Sequence, residues 1–277
     1  MDTDRTAADE RHRDEMRDAL SAAADAYSMT ITGEAVFGWY DRSIGAPVAT
    51  GPTHRWLRVV REHLAWAHGH TWTGNVDASA VTGVLKPRVC DHFDYDEPPD
   101  RYRVELMTLA PGDACSPTPE LRDALDVPGG WMTELRASLD ALAATPASRT
   151  CLTQADVTRR LAVFWGDRVD PTVSSWTTAH GDLHWANLTT PAPYILDWEL
   201  WGTAPAGYDA ATLYCHSLHQ PETAAQVHDA FADLLDTPDG HRAQLYATAR
   251  ILLRAYQGDY ADLVIPLHHH AERLLPR

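Results

Sequence analysis

Lysine is almost absent from this sequence, because Lys86 is the only lysine among 23 basic residues in a chain of 277. Any chemistry that needs a lysine therefore depends on this one position. Basic residues as a class are outnumbered by 39 acidic residues, which gives a formal net charge of −16. Because nucleic-acid binding calls for a basic surface, we expect no nucleic-acid partner.

Long apolar runs, an export signal and paired cysteines are also lacking. No uninterrupted apolar run approaches the roughly 18 residues that a membrane span needs. The first residues are charged throughout and contain no apolar signal core. The four cysteines lie far apart without a Cys-x-x-Cys pair, which disfavours a disulfide framework. We therefore expect a cytoplasmic protein with reduced thiols and no membrane partner.

The pattern of apolar residues changes near residue 110. Residues 8–27 have helical periodicity, and β-branched and aromatic stretches follow them. The predicted strands cover residues 29–40, 53–62, 86–95 and 101–110, with a turn at 41–47 and short helical stretches around 62–69 and 75–82. A segment rich in Pro, Gly and Ser follows at 111–119. Beyond it, amphipathic helices are predicted over 131–146, 153–168, 222–236 and 241–257, with an exposed helix face at 268–270.

Polar chemistry is concentrated between residues 176 and 200. Asp182 and Asn187 are five residues apart in a predicted loop, and Asp197 follows an apolar run that we expect to be a short strand. A carboxylate and an amide oxygen are hard ligands of the kind that Mg²⁺ prefers. Asp182 near such a metal is suited to accept the proton of a hydroxyl nucleophile. This combination is what phosphoryl transfer requires.

The segments HGDLHWAN and ILDWE resemble the aminoglycoside phosphotransferase and choline kinase group. The resemblance implies an α+β, bilobal protein-kinase-like fold. Its parts would be an N-terminal helix over 1–28, a small β-rich nucleotide-binding N-lobe over 29–110 that ends in the hinge, and a larger, mainly helical C-lobe over 111–277. It also implies ATP as co-substrate and Mg²⁺ as cofactor. Asp182 takes the catalytic role, Asn187 and Asp197 hold the metal, and His180 and Asp209 support the loop.

The resemblance is weaker in the N-lobe. A β-turn-β cover over the phosphates would use Ser43 and Gly45. The family's phosphate-binding lysine is missing from HRWLRVVRE, so Arg58 or Arg61 would take its place. Arginine binds phosphate as a planar fork rather than as a point charge. The acidic partner of this arginine would be Glu62 or Asp77, and the backbone from Met107 to Leu109 would bind adenine.

The acceptor is expected to be a small hydroxyl-bearing antibiotic or metabolite, cationic ones included. The residues that would line its pocket flank the reacting groups: His184, Trp185, Glu199 and Trp201. The predicted function is ATP-dependent O-phosphotransfer to this hydroxyl. Two alternatives remain open, namely a catalytically silent kinase-like protein, suggested by the missing lysine, and a kinase of a peptide Ser or Thr in a biosynthetic pathway.

Overall fold

The computed structural model describes residues 2–276, with side chains from residue 8 onward. The chain forms two compact units. The first consists of Met1–Ser79 and Pro87–Ala110, and the second consists of Ala80–Lys86 and Pro111–Arg277. An antiparallel sheet forms the centre of the first unit, and helices dominate the second. The predicted α+β class, with a β-rich lobe and a helical lobe, is therefore confirmed.

Among its described residues, the first unit contains one antiparallel sheet and two α-helices. Its elements are α1 (Asp2–Ala26), β1 (Thr30–Ile31), β2 (Val36–Phe37), β3 (Ser43–Thr50), β4 (Thr53–His63), α2 (Gly69–Asp77), β5 (Val89–Glu97) and β6 (Asp100–Thr108). The strand order is β1-β3-β4-β6-β5, and β2 pairs with β3. Strands β4, β5 and β6 confirm three predicted strands, with ends shifted by a few residues.

Helix α1 packs against one face of this sheet because its apolar residues recur at helical spacing. Met16 and Leu20 are buried in one cluster with Ile44, Leu57 and Val59. Burying a leucine side chain contributes about 2 kcal/mol, so this cluster fixes α1 to the sheet. Successive residues of a strand point to opposite faces, and the other face of β4 is therefore free to meet α2.

The predicted boundaries near the start of the sheet are wrong. The strand predicted over 29–40 is broken into β1 and β2, and a short 3₁₀ turn at Trp39–Asp41 follows them. The turn predicted over 41–47 lies mostly inside β3. Gly45 suggested a turn, but its role is in packing, because a Cβ there would lie 2.7 Å from the indole of Trp56.

Helix α2 replaces the two short helices predicted around 62–69 and 75–82. It begins at Gly69 and ends at Asp77, and a 3₁₀ turn at Ala78–Ala80 follows it. Trp72 of α2 is buried with Ala67 and with Val60 of β4. This small cluster covers part of the sheet face opposite α1, at Val60.

The second unit contains six helices and two two-stranded ladders among the described residues. Its elements are β7 (Asp113–Ala114), α3 (Trp131–Ala143), α4 (Gln154–Trp165), β8 (Trp176–Ala179), β9 (Thr189–Thr190), β10 (Gly202–Pro205), α5 (Tyr208–His216), α6 (Pro221–Leu235), α7 (Pro238–Ala255) and α8 (Val264–Leu274). Strand β8 pairs with β10, and β7 pairs with β9. The helices predicted in this half are confirmed as α3, α4, α6 and α7. Among residues 2–276, no helix is both long enough and apolar enough to cross a membrane.

The histidine triplet lies on α8, but only part of it is exposed. His268 and His269 face solvent as predicted, whereas His270 is buried. The buried stripe of this helix includes Leu267, His270 and Ala271, which recur at helical spacing. Burial lowers the pKa of His270 to about 4, so its imidazole is neutral at pH 7.

This buried imidazole predicts a loss of stability in mild acid. The pKa of His270 is about 4 in the folded protein, whereas the ordinary value of 6.5 applies in the unfolded chain. As the pH falls from 6.5 toward 4, the unfolded state therefore takes up a proton before the folded state does. The neutral imidazole makes its full contribution to the free energy of unfolding above pH 6.5. About 2 kcal/mol of this free energy should be lost between pH 7 and 5. Urea unfolding at both pH values should show a smaller loss for His270→Gln than for the wild type. The exposed neighbour supplies the control, since His269→Gln should keep the wild-type pH dependence. Equal pH dependence in all three proteins would contradict the assignment.

Candidate active site

The loop between β8 and β9, residues 180–187, carries five of the predicted site residues, and we call it the HGD loop. Strand β8 ends at Ala179, and the chain then turns sharply at Gly181, whose φ is +87°. A Cβ at this position would lie 2.7 Å from Cys151 Sγ and 2.8 Å from the backbone oxygen of Leu200. Only glycine combines this backbone conformation with this close contact.

Asp209 and His180 hold the HGD loop in place through hydrogen bonds to the backbone. The Asp209 carboxylate accepts the backbone N–H of His180 at 2.6 Å and of Gly181 at 2.9 Å. His180 donates from Nε2 to the backbone oxygen of Leu196 at 2.9 Å, and its ring packs edge-on against Trp198. These contacts tie the HGD loop to the start of α5 and to the segment before Asp197. Contacts of this kind are what the loop-support roles predicted for His180 and Asp209 require, and both roles stay predictions.

Burial sets the protonation state of both supporting groups. It lowers the pKa of His180 to about 4, so the imidazole is neutral and its proton is held on Nε2. Burial also raises the pKa of Asp209 to about 6, although the two backbone donors oppose this shift. At neutral pH the carboxylate is therefore ionised and accepts both N–H groups.

Asp182 is partly open to solvent, with 25% of its side chain exposed. Its Oδ1 accepts a hydrogen bond from Arg250 Nη2 at 2.7 Å, and its Oδ2 lies 3.6 Å from His184 Nε2. Burial alone would raise the pKa of Asp182, but the charge of Arg250 and the His184 contact outweigh it and hold the pKa well below its usual range. Asp182 is thus ionised at every pH near neutrality and is a strong hydrogen-bond acceptor.

Asn187 links Asp182 to the segment that carries Asp197. Its Nδ2 donates to the backbone oxygen of Asp182 at 3.0 Å, and its own backbone oxygen accepts the N–H of Leu196 at 2.8 Å. These bonds join Asp182 to Asn187 and Asn187 to Leu196, and Asp197 directly follows Leu196 in the chain. The short strand expected before Asp197 is only a single bridge, between Leu188 and Ile195.

Asp197 has an unusual backbone conformation, with a φ of +59°. Its side chain is exposed to solvent. A non-glycine residue in this region costs about 1–3 kcal/mol, and such residues cluster at functional sites. Aspartate and asparagine tolerate it better than other side chains do. The strained backbone therefore presents an exposed carboxylate next to the HGD loop.

The chemistry of this cluster fits a magnesium ion held partly by phosphates. Because Asn187 Nδ2 donates to the loop, its Oδ1 points away as a hard oxygen ligand, and Asp197 supplies a carboxylate. Mg²⁺ commonly takes one or two protein oxygens and completes its shell with water and phosphate oxygens. Among the described residues, no group of three or more His, Cys, Asp or Glu is arranged to hold a metal.

Of the four residues predicted to line the acceptor pocket, the two tryptophans are buried. Trp185 is fully buried, stacks on Trp131 and donates from Nε1 to Ser217 Oγ, so the prediction that it lines the pocket is wrong. Trp201 is also buried, under the guanidinium of Arg149. Large apolar indoles gain most from complete burial, which explains both positions.

His184 and Glu199 are less deeply buried than the two indoles. Only 12% of the His184 side chain is exposed, and its Nε2 lies 3.2 Å from Asn187 Nδ2 and 3.6 Å from Asp182 Oδ2. The backbone oxygen of Glu199 accepts a hydrogen bond from Arg149 Nη2 at 2.9 Å. His184 thus lies beside Asp182, and its predicted place in the acceptor pocket stays a prediction.

The first unit separates the two arginines that were candidates for phosphate binding. They are three positions apart on β4 and therefore point to opposite faces of the sheet. Arg61 lies on the α1 side, where it pairs with Glu15 and Asp100 at 2.6 and 2.7 Å. Arg61 therefore helps to hold α1 on the sheet. Arg58 remains the candidate for phosphate binding.

Arg58 shares its face of the sheet with the other predicted nucleotide-binding residues. It is directly opposite Gly45 in the strand register, and Ser43 is opposite Val60. Met107 is opposite Trp56 on the same face, while Leu109 lies just beyond β6 and is exposed. Cross-strand neighbours point to the same side, so these residues form one surface of this unit.

Sequence reasoning missed two charged partners. Glu105 on β6 is almost fully buried and accepts from Arg58 at 3.1 Å and from Asn75 at 2.9 Å. The candidates proposed from sequence, Glu62 and Asp77, are elsewhere engaged, with Arg42 at 3.6 Å and with Thr73. A charged residue inside the apolar run of β6 was the available signal.

The other missed partner is Arg250 on α7. It binds Asp182 and also donates to the backbone oxygen of Gly181 and to the Tyr208 hydroxyl, both at 2.9 Å. No local sequence pattern indicates this contact across 68 positions. The single lysine also lies in this unit, where Lys86 is buried with its Nζ 5.5 Å from the centroid of the Trp198 ring.

We expect the substitution Gly181→Ala, which adds one methyl group at the turn, to lower the stability of the protein strongly. Gly181→Ala should lose about 1–2 kcal/mol from the left-handed backbone alone, and the contact with Leu200 adds to this cost. Gly129 supplies a matched control, because a Cβ there meets nothing within 4 Å. Thermal unfolding should therefore show a lower Tm for Gly181→Ala and an unchanged or higher Tm for Gly129→Ala. Equal Tm values would contradict the geometry of the HGD loop.

No family model matches this chain, and no curated protein matches its sequence. Solved structures do match its fold. Aminoglycoside phosphotransferase APH(4)-Ia aligns with a TM-score of 0.58 at 13% identity, over 92% of this chain and 98% of that chain. A thermostable mutant of that protein, in a ternary complex with ADP and hygromycin B, aligns with a TM-score of 0.60 at 13% identity, over 92% and 97%. Spectinomycin phosphotransferase APH(9)-Ia, in complex with ADP and spectinomycin, aligns with a TM-score of 0.57 at 9% identity, over 90% and 88%. Identities this low establish the fold alone, and the chain therefore has the protein-kinase-like fold of the aminoglycoside phosphotransferases.

Proposed function

We propose that this protein is an ATP-dependent O-phosphotransferase that transfers the γ-phosphoryl group to a hydroxyl of a small molecule. The observation that carries the proposal is the hydrogen-bonded cluster of the second unit. There, Asn187 donates to the Asp182 backbone and accepts from Leu196, directly before Asp197. The solved complexes with ADP and hygromycin B or spectinomycin support it, because they pair this fold with nucleotide and hydroxyl-bearing compounds.

Asp182 would hold the acceptor hydroxyl in line with the γ-phosphorus. The hydroxyl oxygen forms a bond to that phosphorus, the bond from the phosphorus to the β–γ bridging oxygen breaks, and ADP leaves with this electron pair. The hydroxyl proton passes to the Asp182 carboxylate and then to solvent. Because Arg250 keeps the pKa of Asp182 low, Asp182 contributes mainly by orienting the hydroxyl. Orientation is what a loose phosphoryl-transfer transition state needs most.

Asn187 Oδ1 and the Asp197 carboxylate would hold Mg²⁺ together with phosphate oxygens. The ion supplies charge neutralisation on the β- and γ-phosphate oxygens. His180 and Asp209 keep the two protein ligands in place through the HGD loop. In the first unit, Arg58 would bind phosphate, and its pairing with Glu105 fixes the direction of its guanidinium.

Nucleotide binding would also use the surface of the first unit that contains Arg58. Ser43 and Gly45 lie on this surface, opposite Val60 and Arg58 in the strand register, and would face the phosphates. The backbone from Met107 to Leu109 would hydrogen-bond the adenine edge.

All four cysteines are free thiols, which fits our proposal of a cytoplasmic location.

A catalytically silent nucleotide-binding protein is the second candidate. It is favoured by one observation, the engagement of Arg58 with the buried Glu105 in place of a lysine. A guanidinium fork has a different reach from an ammonium group. A protein that binds Mg²⁺-ATP but never releases ADP would support this candidate. A kinase of a peptide Ser or Thr would instead release ADP only with peptides.

The test combines binding and turnover. Thermal unfolding with Mg²⁺-ATP should raise the Tm, because a ligand that binds the folded state stabilises it by mass action. A screen of hydroxylated compounds with Mg²⁺-ATP should then yield ADP and a phosphomonoester in equal amounts. The proposal would be abandoned if Mg²⁺-ATP caused no shift and no compound was phosphorylated.

A further inference from the structure

Helix α2 lies on the face of the sheet that contains Arg58. Val60 and Arg58 are two residues apart on β4, so their side chains point to one face. Trp72 of α2 is buried in one cluster with Val60 and donates from Nε1 to Asp94 Oδ2 at 3.0 Å. Asn75 is one helical turn further along α2 and is also buried, so it points to the same sheet face. Trp72 thus fixes α2 at the place where Asn75 meets the sheet.

Asn75 bonds to a carboxylate in the interior of this sheet. Its Nδ2 donates to Glu105 Oε2 at 2.9 Å, and only 5% of Asn75 and 1% of Glu105 are exposed. Glu105 is on β6, which lies between β4 and β5. A carboxylate in such surroundings is costly unless hydrogen bonds compensate it. The bond from Asn75 is therefore part of what holds the Glu105 side chain in its place.

The same carboxylate oxygen accepts a hydrogen bond from Arg58. Arg58 and Glu105 are direct neighbours across β4 and β6, and Arg58 Nη1 lies 3.1 Å from Glu105 Oε2. Only 13% of the Arg58 side chain is exposed. A hydrogen bond between a guanidinium and a carboxylate is directional as well as strong. Because Asn75 and Arg58 meet at one oxygen atom, a change in the Asn75 bond shifts the acceptor that orients Arg58.

The residue type at position 75 fits this bond. Asparagine is a weak helix former, and burial in a helix interior is unusual for it. Buried polar side chains in proteins are nearly always hydrogen-bonded, and the amide of Asn75 meets this requirement at Glu105. An amide donates to the carboxylate without placing a second cation beside Arg58. A lysine or arginine at this position would instead compete with Arg58 for Glu105.

We propose that Asn75 is a positioning residue of the nucleotide site, which orients the guanidinium of Arg58 for phosphate binding through the carboxylate of Glu105. Asn75 itself does not contact the nucleotide in this arrangement. The position of α2 is thereby linked to the direction of Arg58. This inference rests on the proposed phosphotransferase function, in which Arg58 binds phosphate.

A double-mutant cycle on Mg²⁺-ATP affinity tests the assignment. Asn75→Leu keeps the size of the side chain and removes the donor, and Asn75→Ala removes the donor without added bulk. Each variant should raise the Kd of Mg²⁺-ATP by about tenfold, because a hydrogen bond to a charged group is lost. In a protein that already carries Arg58→Gln, the same substitutions should raise the Kd by less than about twofold, since no guanidinium is left to position.

Thr73 supplies the matched control on the same helix. Its hydroxyl donates to the carboxylate of Asp77, which also belongs to α2. Thr73→Val keeps the size of the side chain and removes this bond, and the Kd of Mg²⁺-ATP should stay close to that of the wild type. The proposal would be overturned by an unchanged Kd in both Asn75 variants. Equal losses with and without Arg58→Gln, or an equal loss in Thr73→Val, would overturn it as well.

Nuclear magnetic resonance follows Arg58 without any nucleotide. The Nε–H resonance of Arg58 is the one that Arg58→Gln removes from the spectrum. The order parameter of this group reports its motion on the picosecond-to-nanosecond timescale. It should fall in Asn75→Leu and Asn75→Ala and stay unchanged in Thr73→Val. An order parameter that both Asn75 variants leave unchanged would contradict the positioning role.

The two measurements separate this inference from the function on which it rests. If the wild type does not bind Mg²⁺-ATP while the Asn75 variants lower the order parameter of Arg58, the proposed function fails and the link from Asn75 to Arg58 stands. If Mg²⁺-ATP binds and is turned over but the effects of the Asn75 and Arg58 substitutions are independent, the phosphotransferase function stands and the positioning role is wrong.

Discussion

Asp182→Asn should lower kcat by about 10²–10⁴-fold, the range expected when a positioned proton acceptor is removed. The amide keeps the shape of the side chain and an oxygen for Arg250, so the HGD loop should retain its fold. It loses the negative charge that orients the acceptor hydroxyl. Because Asp182 does not contact the nucleotide in this account, the Kd of Mg²⁺-ATP should change by no more than a few-fold.

Initial rates of ADP release and calorimetric titration with Mg²⁺-ATP measure the two quantities separately. Asp229→Asn is the matched control, since Asp229 is exposed on α6 of the same unit. That variant should keep wild-type turnover and binding. Near-normal turnover in Asp182→Asn would remove Asp182 from the mechanism, whatever the acceptor is.

Asp197→Asn should weaken Mg²⁺-ATP binding by about 10–100-fold, the cost typical of disturbing a metal site. Asparagine is the sharpest replacement here because it tolerates the left-handed backbone at φ +59°. The variant therefore removes charge without forcing the chain to rearrange. Asp197→Ala would mix the loss of charge with about 1–2 kcal/mol of backbone strain.

Titration with ATP alone provides the internal control for Asp197. Without the metal, wild type and Asp197→Asn should bind ATP with nearly equal affinity, and the difference should grow as Mg²⁺ is added. An equal loss with and without Mg²⁺ would assign Asp197 to the fold. Unchanged Mg²⁺-ATP affinity would take it out of the proposed metal site.

The core of the candidate site was predictable because its spacing is local. Asp182 and Asn187 lie within one loop of eight residues, and a short return of the chain brings Asp197 beside them. Residue types and spacing in one continuous segment were enough to group these three. Arg250 and Glu105 could not be found in this way, because their contacts join residues 68 and 47 positions apart.

Local signals also misled where packing overrode them. Gly45 and Pro47 indicated a turn, yet both lie in β3, where the Trp56 side chain requires a residue without a Cβ at position 45. Trp185 stood beside the reacting residues in sequence but packs into the core against Trp131. In both cases a tertiary contact with a tryptophan decided the outcome.

The overall charge and the charged contacts of Asp182 give a further example. Acidic residues are spread along the chain, so the sum of −16 identifies no binding site. The fold nevertheless places the guanidinium of Arg250 2.7 Å from the carboxylate of Asp182. Which side chains converge at one point is a property of the fold, and composition alone does not contain it.

The most direct test of the central claim follows the γ-phosphoryl group itself. The protein would be incubated with Mg²⁺ and ATP labelled in the γ-phosphoryl group, together with a panel of hydroxyl compounds, and the products analysed by mass spectrometry. The account predicts that the label appears in a phosphomonoester of one acceptor, in an amount equal to the ADP formed, and that Asp182→Asn lowers the rate of its formation by about 10²–10⁴-fold. Label found only in inorganic phosphate, or no ADP from a protein that binds Mg²⁺-ATP, would contradict it.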